Sequence, residues 1–324
     1  MPDTRNVAIL SHSGAGKSSL LEALLYRAGE LPTLGKVEEG TTVSDFTPEE
    51  KRRKISIYST VHPLEWKGHR FTLIDTPGYA DFVGEIRGSL LAADAALILV
   101  SAVSGVAVGT ERVWNSSFER ELSTMFVINK MDRENADFFR TMADIEATLP
   151  GNIAAIQVPI GQAENFEGIV DLLYMKAYVW PDGEPMEMEI PAEVAGLAQE
   201  YRDRLVEAVV ETDDDLMLRY LEDEEIDDEA FLEAFFAAVR RNELAPVLLT
   251  SATKAMGVSL LLDFMTRGIR KVEDHRPLPV ERGESPRLGP DAPFTARVFK
   301  TNIDPYLGRV SMIRVLGGTL KPGM

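Results

Sequence analysis

Four short apolar runs constrain this 324-residue chain more than any other feature: Val7 to Leu10, Phe71 to Asp75, Ala95 to Ser101 and Met125 to Asn129. They are rich in Val, Ile and Leu and lack the polar alternation of a half-exposed strand, so each reads as a strand covered on both faces. Helices expected over Lys17 to Ala28 and Asp81 to Ala93 fall between them, and a strand at Val247 to Thr250 with a helix near Val258 to Val272 closes the unit. This alternation predicts a doubly wound α/β fold.

Two stretches break the pattern. Leu31 to Lys54 is dominated by Gly, Thr, Pro and charge and reads as a long mobile loop. Ile160 to Ala245 holds 24 acidic and six basic residues. Its second half carries Leu205, Val206, Val209 and Val210, then Phe231, Leu232, Phe235 and Phe236, at helical spacing. It is expected to be an insertion subdomain with a small core of its own. Proline-rich residues 277–292 read as a linker, and Phe294 to Lys300 with Arg309 to Leu316 as two strands. The expected division is therefore residues 1–276 with the insertion at 160–245, the linker, and 293–324 as the start of a second, β-barrel domain that two strands alone cannot complete.

Charge adds one constraint. The chain has 52 acidic and 34 basic residues, net −18, which taken evenly would disfavour a phosphate backbone as partner. The acidic block accounts for all of it, because the remaining residues hold 28 of each sign. With no cysteine there is neither a disulfide framework nor a thiolate metal site. The one long apolar window, Leu90 to Gly109, is interrupted by Asp94 and two serines, so no membrane span is expected. The N-terminus has no secretory leader pattern, and a cytoplasmic monomer is the expectation.

The chemistry lies at the carboxyl ends of the strands, where open α/β sheets bind ligands. After the first strand comes Ser11-His12-Ser13-Gly14-Ala15-Gly16-Lys17-Ser18-Ser19, a phosphate loop opening a helix. Its backbone N–H groups would cradle the α and β phosphates, Lys17 would reach the β and γ phosphates, and the Ser18 hydroxyl would bind Mg²⁺. Asp75-Thr76-Pro77-Gly78 follows the second strand, where Asp75 can hold Mg²⁺ through water and the Gly78 amide can approach the γ phosphate. Asn129-Lys130-Met131-Asp132 follows the fourth, and an Asp there can accept two hydrogens from guanine that adenine does not offer. Ser251-Ala252 after the last strand could present an N–H to the guanine O6. Each motif alone is weak, but their order is specific, and N-K-x-D disfavours an ATP-using enzyme.

With these motifs the chain resembles translational GTPases, and among them elongation factor G, most of all its divergent second-type relatives. The resemblance extends to Glu39-Gly40-Thr41-Thr42 and Asp45 in a first switch, Asp75 to Phe82 in a second, and the barrel opening from Pro293 to Gly323. It implies GTP and GDP with Mg²⁺ as ligands, Ser56 as a further Mg²⁺ ligand, and GTP hydrolysis on the ribosome during translocation. It also implies contacts with ribosomal RNA and, for the acidic insertion, with the stalk protein. The chain would then be the front part of a longer factor. The runner-up is a ribosome-associated regulator that switches on nucleotide occupancy with little turnover.

Four positions depart from the family pattern. Ser11 and Gly14 stand where the phosphate loop usually has Gly and Asp. Lys54 stands at a glycine position and is expected to be unable to copy a glycine's left-handed conformation. Tyr79 replaces the histidine that orients the attacking water. A phenol can hydrogen-bond that water but supplies no positive charge, so Tyr79, with Lys17 and Gly78, is expected to support slow or differently triggered hydrolysis.

Overall fold

A computed structural model describes residues 4–181, 183–222, 224, 226–271, 285–304 and 306–324. The elements run β1 (Thr4–Ser11), α1 (Lys17–Arg27), α2 (Pro48–Arg53), β2 (Thr60–Trp66), β3 (His69–Asp75), α3 (Val83–Ala92), β4 (Ala95–Ser101), α4 (Val108–Phe118), β5 (Ser123–Asn129) and α5 (Phe138–Thr148). They continue with β6 (Ile153–Ala155), β7 (Gln157–Ile160), β8 (Gly168–Asp171), β9 (Lys176–Val179), β10 (Met186–Met188), α6 (Ala192–Val210), α7 (Asp214–Leu221) and α8 (Asp228–Arg241). Last come β11 (Ala245–Leu249), α9 (Val258–Gly268), β12 (Thr295–Asp304) and β13 (Gly308–Gly317).

The main sheet has the order β2-β3-β1-β4-β5-β11-β6 and is parallel except for β2, which pairs antiparallel with β3. Every residue of β4, β5 and β11 is buried, which explains why their sequences are continuous apolar runs. The doubly wound α/β expectation therefore holds. The edge strand β2 escapes the apolar pattern because only Leu64 of its seven residues is buried and Pro63 sits within it, which an edge tolerates. The sequence pattern does not announce two helices, α4 and α5; α4 packs on β4 and β1. The second expected helix begins as a 3₁₀ turn over Ala80–Phe82 before α3.

Residues 31–54, expected to be a loop throughout, contain α2. Thr47 caps it by accepting from Glu50 N while the Glu50 carboxylate accepts from Thr47 N, a capping box reinforced by Pro48 in the first turn. In the insertion, β7 to β10 form an antiparallel sheet and α6 to α8 follow. Its apolar residues do not form a separate core: Phe235 and Phe236 pack their rings against Phe264 of α9, and Tyr201 of α6 packs on Phe138 of α5. One continuous hydrophobic cluster runs through both.

The β12–β13 hairpin docks on the sheet-and-helix body through charge. Arg314 donates to Asp94 at 2.6 Å with both side chains buried, and Lys300 reaches Glu85 at 2.7 Å and the Ser59 carbonyl at 2.9 Å. Gly88 of α3 lets the hairpin backbone approach, since a Cβ there would lie 2.6 Å from the Phe299 carbonyl oxygen. Of the expected linker, residues 277–284 lie outside the described residues, while Gly289 bonds to the hairpin through Leu316 O and Gly318 N. Among the described residues no helix is long and apolar enough to cross a membrane.

Breaking the buried pair should be costly. Arg314→Met removes the cation beside the buried Asp94 carboxylate, which still accepts from Asn6 N at 2.6 Å, and urea unfolding should show a loss of about 3–5 kcal/mol, partly restored by adding Asp94→Asn. Asp171 makes a second stability test: burial pushes its pKa up to about 6, against the hydrogen bonds from Leu173 N and Tyr174 N. A raised carboxyl pKa gives a contribution present at acid pH and lost as pH rises through about 6. Asp171→Asn should therefore gain stability over the wild type between pH 4 and pH 7, up to roughly 3 kcal/mol, measured by denaturation at the two pH values.

Candidate active site

The turn from β1 into α1 is held open by two glycines in left-handed backbone, Gly14 (φ 82°) and Gly16 (φ 101°), the latter at the helix N-cap. A Cβ on Gly16 would lie 2.5 Å from Asn129 Nδ2, so both conformation and space require glycine there. The helix N-terminus and its free N–H groups face the cleft, which suits an anion. Lys17 is buried and its ammonium donates to Ser11 Oγ at 2.9 Å. Burial lowers its pKa, with Asp75 and Asp45 opposing. Ser11 thus gives the substituted first position of the loop a task, holding the lysine head.

Across the cleft stands Gly78. A Cβ there would meet Lys17 Nζ at 2.6 Å and the Ser13 backbone at 2.8 Å, so the second switch closes on the phosphate loop only as glycine. At the floor, Ser18 Oγ lies 3.2 Å from both Asp75 Oδ2 and Ser56 Oγ, and Ser56 Oγ donates to Asp45 Oδ1 at 2.7 Å. Burial pushes the Asp75 pKa up to about 6, opposed chiefly by Lys17, and burial also raises that of Asp45. The second Asp75 oxygen has no hydrogen-bond partner of acceptable geometry. Two hydroxyls and two poorly solvated carboxylates make a set of hard oxygen donors that fits Mg²⁺. Asp45 is legible in the sequence only through the first-switch resemblance, and its pairing with Ser56 has no sequence signal.

On the base side Asn129 is a tie rather than an open donor. Its Nδ2 donates to Ala15 O at 3.0 Å, and its Oδ1 accepts from Thr250 Oγ1 and Ala252 N, both at 3.1 Å. Lys130 donates to Gly14 O at 2.7 Å. The Ala252 amide expected to meet guanine O6 is therefore engaged with Asn129, and the Ser251 amide with Met256 O. Ser13, Gly14, Gly16, Lys17, Ser18, Ser19, Ser56, Gly78, Tyr79, Asn129, Lys130 and Ala252 line one cleft of about 270 Å³. Ala15, Asp75, Asp132 and Ser251 are not on its lining, but Asp132 Oδ1 and Ser251 Oγ are buried without hydrogen-bond partners. The cleft also takes in Val37, Glu38, Lys54 and Ile55 from the first switch, and Arg133 and Thr253, which the motifs do not mark.

Lys54 corrects its expectation. It adopts left-handed backbone (φ 55°, ψ 42°) as the C-cap of α2, its N–H bonding to Glu50 O. Tertiary context thus holds a lysine where glycine is usual, against a cost of about 1–2 kcal/mol. Tyr79 is 43% exposed and lines both the cleft and a neighbouring cavity of about 400 Å³ with His12, Val83, Ile86, Val108 and Arg112.

Residues 2–271 match the model of the elongation factor Tu GTP binding domain. The chain belongs to this family of translational GTPases. Its fold also matches a crystal structure from Thermus thermophilus with a TM-score of 0.88 at 42% identity. The match covers 99% of this chain but 46% of that protein, so the chain spans about half the length of that relative. As a GTPase domain it binds guanine nucleotide, and Asp132, expected from its motif to read the base, keeps one buried oxygen without a hydrogen-bond partner. Asp132→Asn should weaken GDP binding by roughly 10²-fold, the worth of a charge-assisted pair of hydrogen bonds, and raise affinity for xanthosine diphosphate. Titration calorimetry with both nucleotides checks this, and unchanged GDP affinity would remove Asp132 from base recognition.

Proposed function

We propose that this GTPase domain is the nucleotide-binding part of an elongation factor G-like protein, of the divergent second type, that hydrolyses GTP on the ribosome during translocation. The observation that carries the reading is the meeting of Ser18, Ser56, Asp45 and Asp75 beside the buried Lys17, which joins both switches to the phosphate loop. Ser18 and Ser56 would hold Mg²⁺, with Asp75 and Asp45 orienting them. The ion supplies neutralisation of phosphate charge. Lys17 stabilises charge on the β and γ phosphates, and the Gly78 amide directs the second switch at the γ phosphate. Asn129 and Lys130 hold the loops, and Asp132 and Ser251 recognise the base.

Tyr79 sits at the position from which the attacking water would be oriented. Its hydroxyl can hold a water but carries no cationic charge, which supports slow turnover or an altered trigger. The same residue favours the second reading, a ribosome-associated regulator that responds to occupancy with little hydrolysis. The acidic insertion fits a basic protein surface, and within this proposal that surface is the ribosomal stalk, while the neutral body meets ribosomal RNA.

GTP turnover by the complete protein with ribosomes should be at least about tenfold slower than that of its Tyr79→His variant. Equal rates would show that Tyr79 does not limit the chemistry. Negligible turnover in both, with intact nucleotide binding, would favour the regulator.

A further inference from the structure

We infer that Glu50 is the positioning residue of the first switch: its carboxylate fastens residues 57–58 to the start of α2 and so delivers the Ser56 hydroxyl to Ser18 and Asp45. This inference rests on the GTPase reading above. Glu50 is absent from the lining of the nucleotide cleft, yet it is fully buried. One carboxylate oxygen accepts from Thr47 N at 3.0 Å and Thr47 Oγ1 at 2.7 Å. The other accepts from Ile57 N at 2.9 Å and Tyr58 N at 3.1 Å. Its own carbonyl accepts from Lys54 N and Ile55 N. A single residue thus gathers both ends of the turn that follows α2.

The geometry explains why Ser56 depends on this. The Ile57 N–H belongs to the peptide unit that leaves Ser56, so fixing that N–H fixes the plane on the C-terminal side of Ser56. The left-handed Lys54 reverses the chain on the other side. These two constraints set the Cα–Cβ bond of Ser56, and from there its hydroxyl reaches Asp45 Oδ1 at 2.7 Å and Ser18 Oγ at 3.2 Å. Burial disfavours the charged carboxylate of Glu50, but the hydrogen bonds from Thr47, Ile57 and Tyr58 outweigh it and hold its pKa below the ordinary value. The group therefore stays ionised, which gives the strong acceptor the two amides require.

The hydrogen bonds of the Glu50 carboxylate all fall between residues 47 and 58, so its loss should release this segment rather than unfold the domain. The phosphate-loop and base contacts do not pass through it. Nucleotide forms that need Ser56 should suffer, and GDP should not.

The test uses the 324-residue chain as Glu50→Ala and Glu50→Gln. Binding of GDP and of the β,γ-imido analogue of GTP is titrated against Mg²⁺, and tryptic cutting within Lys51 to Lys54 is timed without nucleotide. In Glu50→Ala the Mg²⁺ needed for half-maximal analogue binding should rise at least about tenfold and tryptic cutting should quicken by a similar factor, with GDP affinity within about twofold. Glu50→Gln, which keeps one acceptor oxygen, should fall between the two. Unchanged tryptic rates, or equal loss of GDP and analogue affinity, would overturn the role of Glu50. A wild type that binds neither nucleotide while its tryptic protection still depends on Glu50 would count against the GTPase reading and leave the fastening intact.

Discussion

The structure depends on keeping two opposite charges, Lys17 and Asp75, buried at the carboxyl ends of neighbouring strands. Neither is well solvated, and their effects on one another show it: burial lowers the lysine and raises the aspartate, and each moderates the other. Such a pair is weak as a source of stability, because desolvation rivals the Coulomb gain. Its sense is chemical. A phosphate and a divalent cation are the ligands that would satisfy what the protein leaves short, since the spare Asp75 oxygen has no well-formed hydrogen bond and the lysine donates to a single hydroxyl. The neighbouring elements act as supports for this frustrated pair. Ser11 holds the ammonium, Ser18 meets the carboxylate, and Gly78 lets the second switch reach the phosphate loop without a side chain between them.

Asn129 extends that frame to the base. Its amide binds Ala15 from the loop after β1, and its oxygen takes Thr250 and Ala252 from the loop after β11. Three strand ends are thereby locked in one register by one side chain. That is why Gly16 cannot carry a Cβ, which would displace the Asn129 amide. The phosphate and base regions are therefore mechanically one site even though their motifs lie far apart in sequence.

How much of this can be read from the residues follows from burial. β4, β5 and β11 are covered on both faces and announce themselves as apolar runs, and glycine-rich turns after strands announce phosphate sites. β2 stays silent, because an edge strand with Pro63 and one buried residue has no periodic signal. α2 is hidden within a polar stretch, although Thr47-Pro48-Glu49-Glu50 is a capping-box sequence and is the available clue. The role of Glu50 is hidden for a different reason. Its partners are mostly backbone N–H groups, which nearly every residue has, so no side-chain pattern marks them. Lys54 defies its sequence because local preference predicts against left-handed lysine, while capping α2 and the bonds to Glu50 decide the conformation. The motif assigns Asn129 to guanine, whereas its geometry assigns it to the protein.

The insertion shows the same principle through charge. Its six basic residues are all engaged locally. Arg202 stacks 3.9 Å over Phe231 and bonds to Leu172 O, Arg240 bonds to Arg267 O, and Lys176, Arg204, Arg219 and Arg241 pair with Glu187, Glu200, Glu224 and Glu243. These contacts hold helices and strands in place but neutralise only a minority of the 24 carboxylates, so the insertion keeps a strong negative excess. Its apolar faces are meanwhile committed to α9 and α5. The insertion is thus joined to the body by its core and set apart by its field. A polyanion approaching the chain is repelled from that side over roughly a Debye length, ~8 Å at physiological salt, and meets less resistance at the neutral body, where Lys51 to Lys54 lie beside the first switch. The net charge of the chain therefore constrains the direction from which a partner arrives rather than whether it can bind.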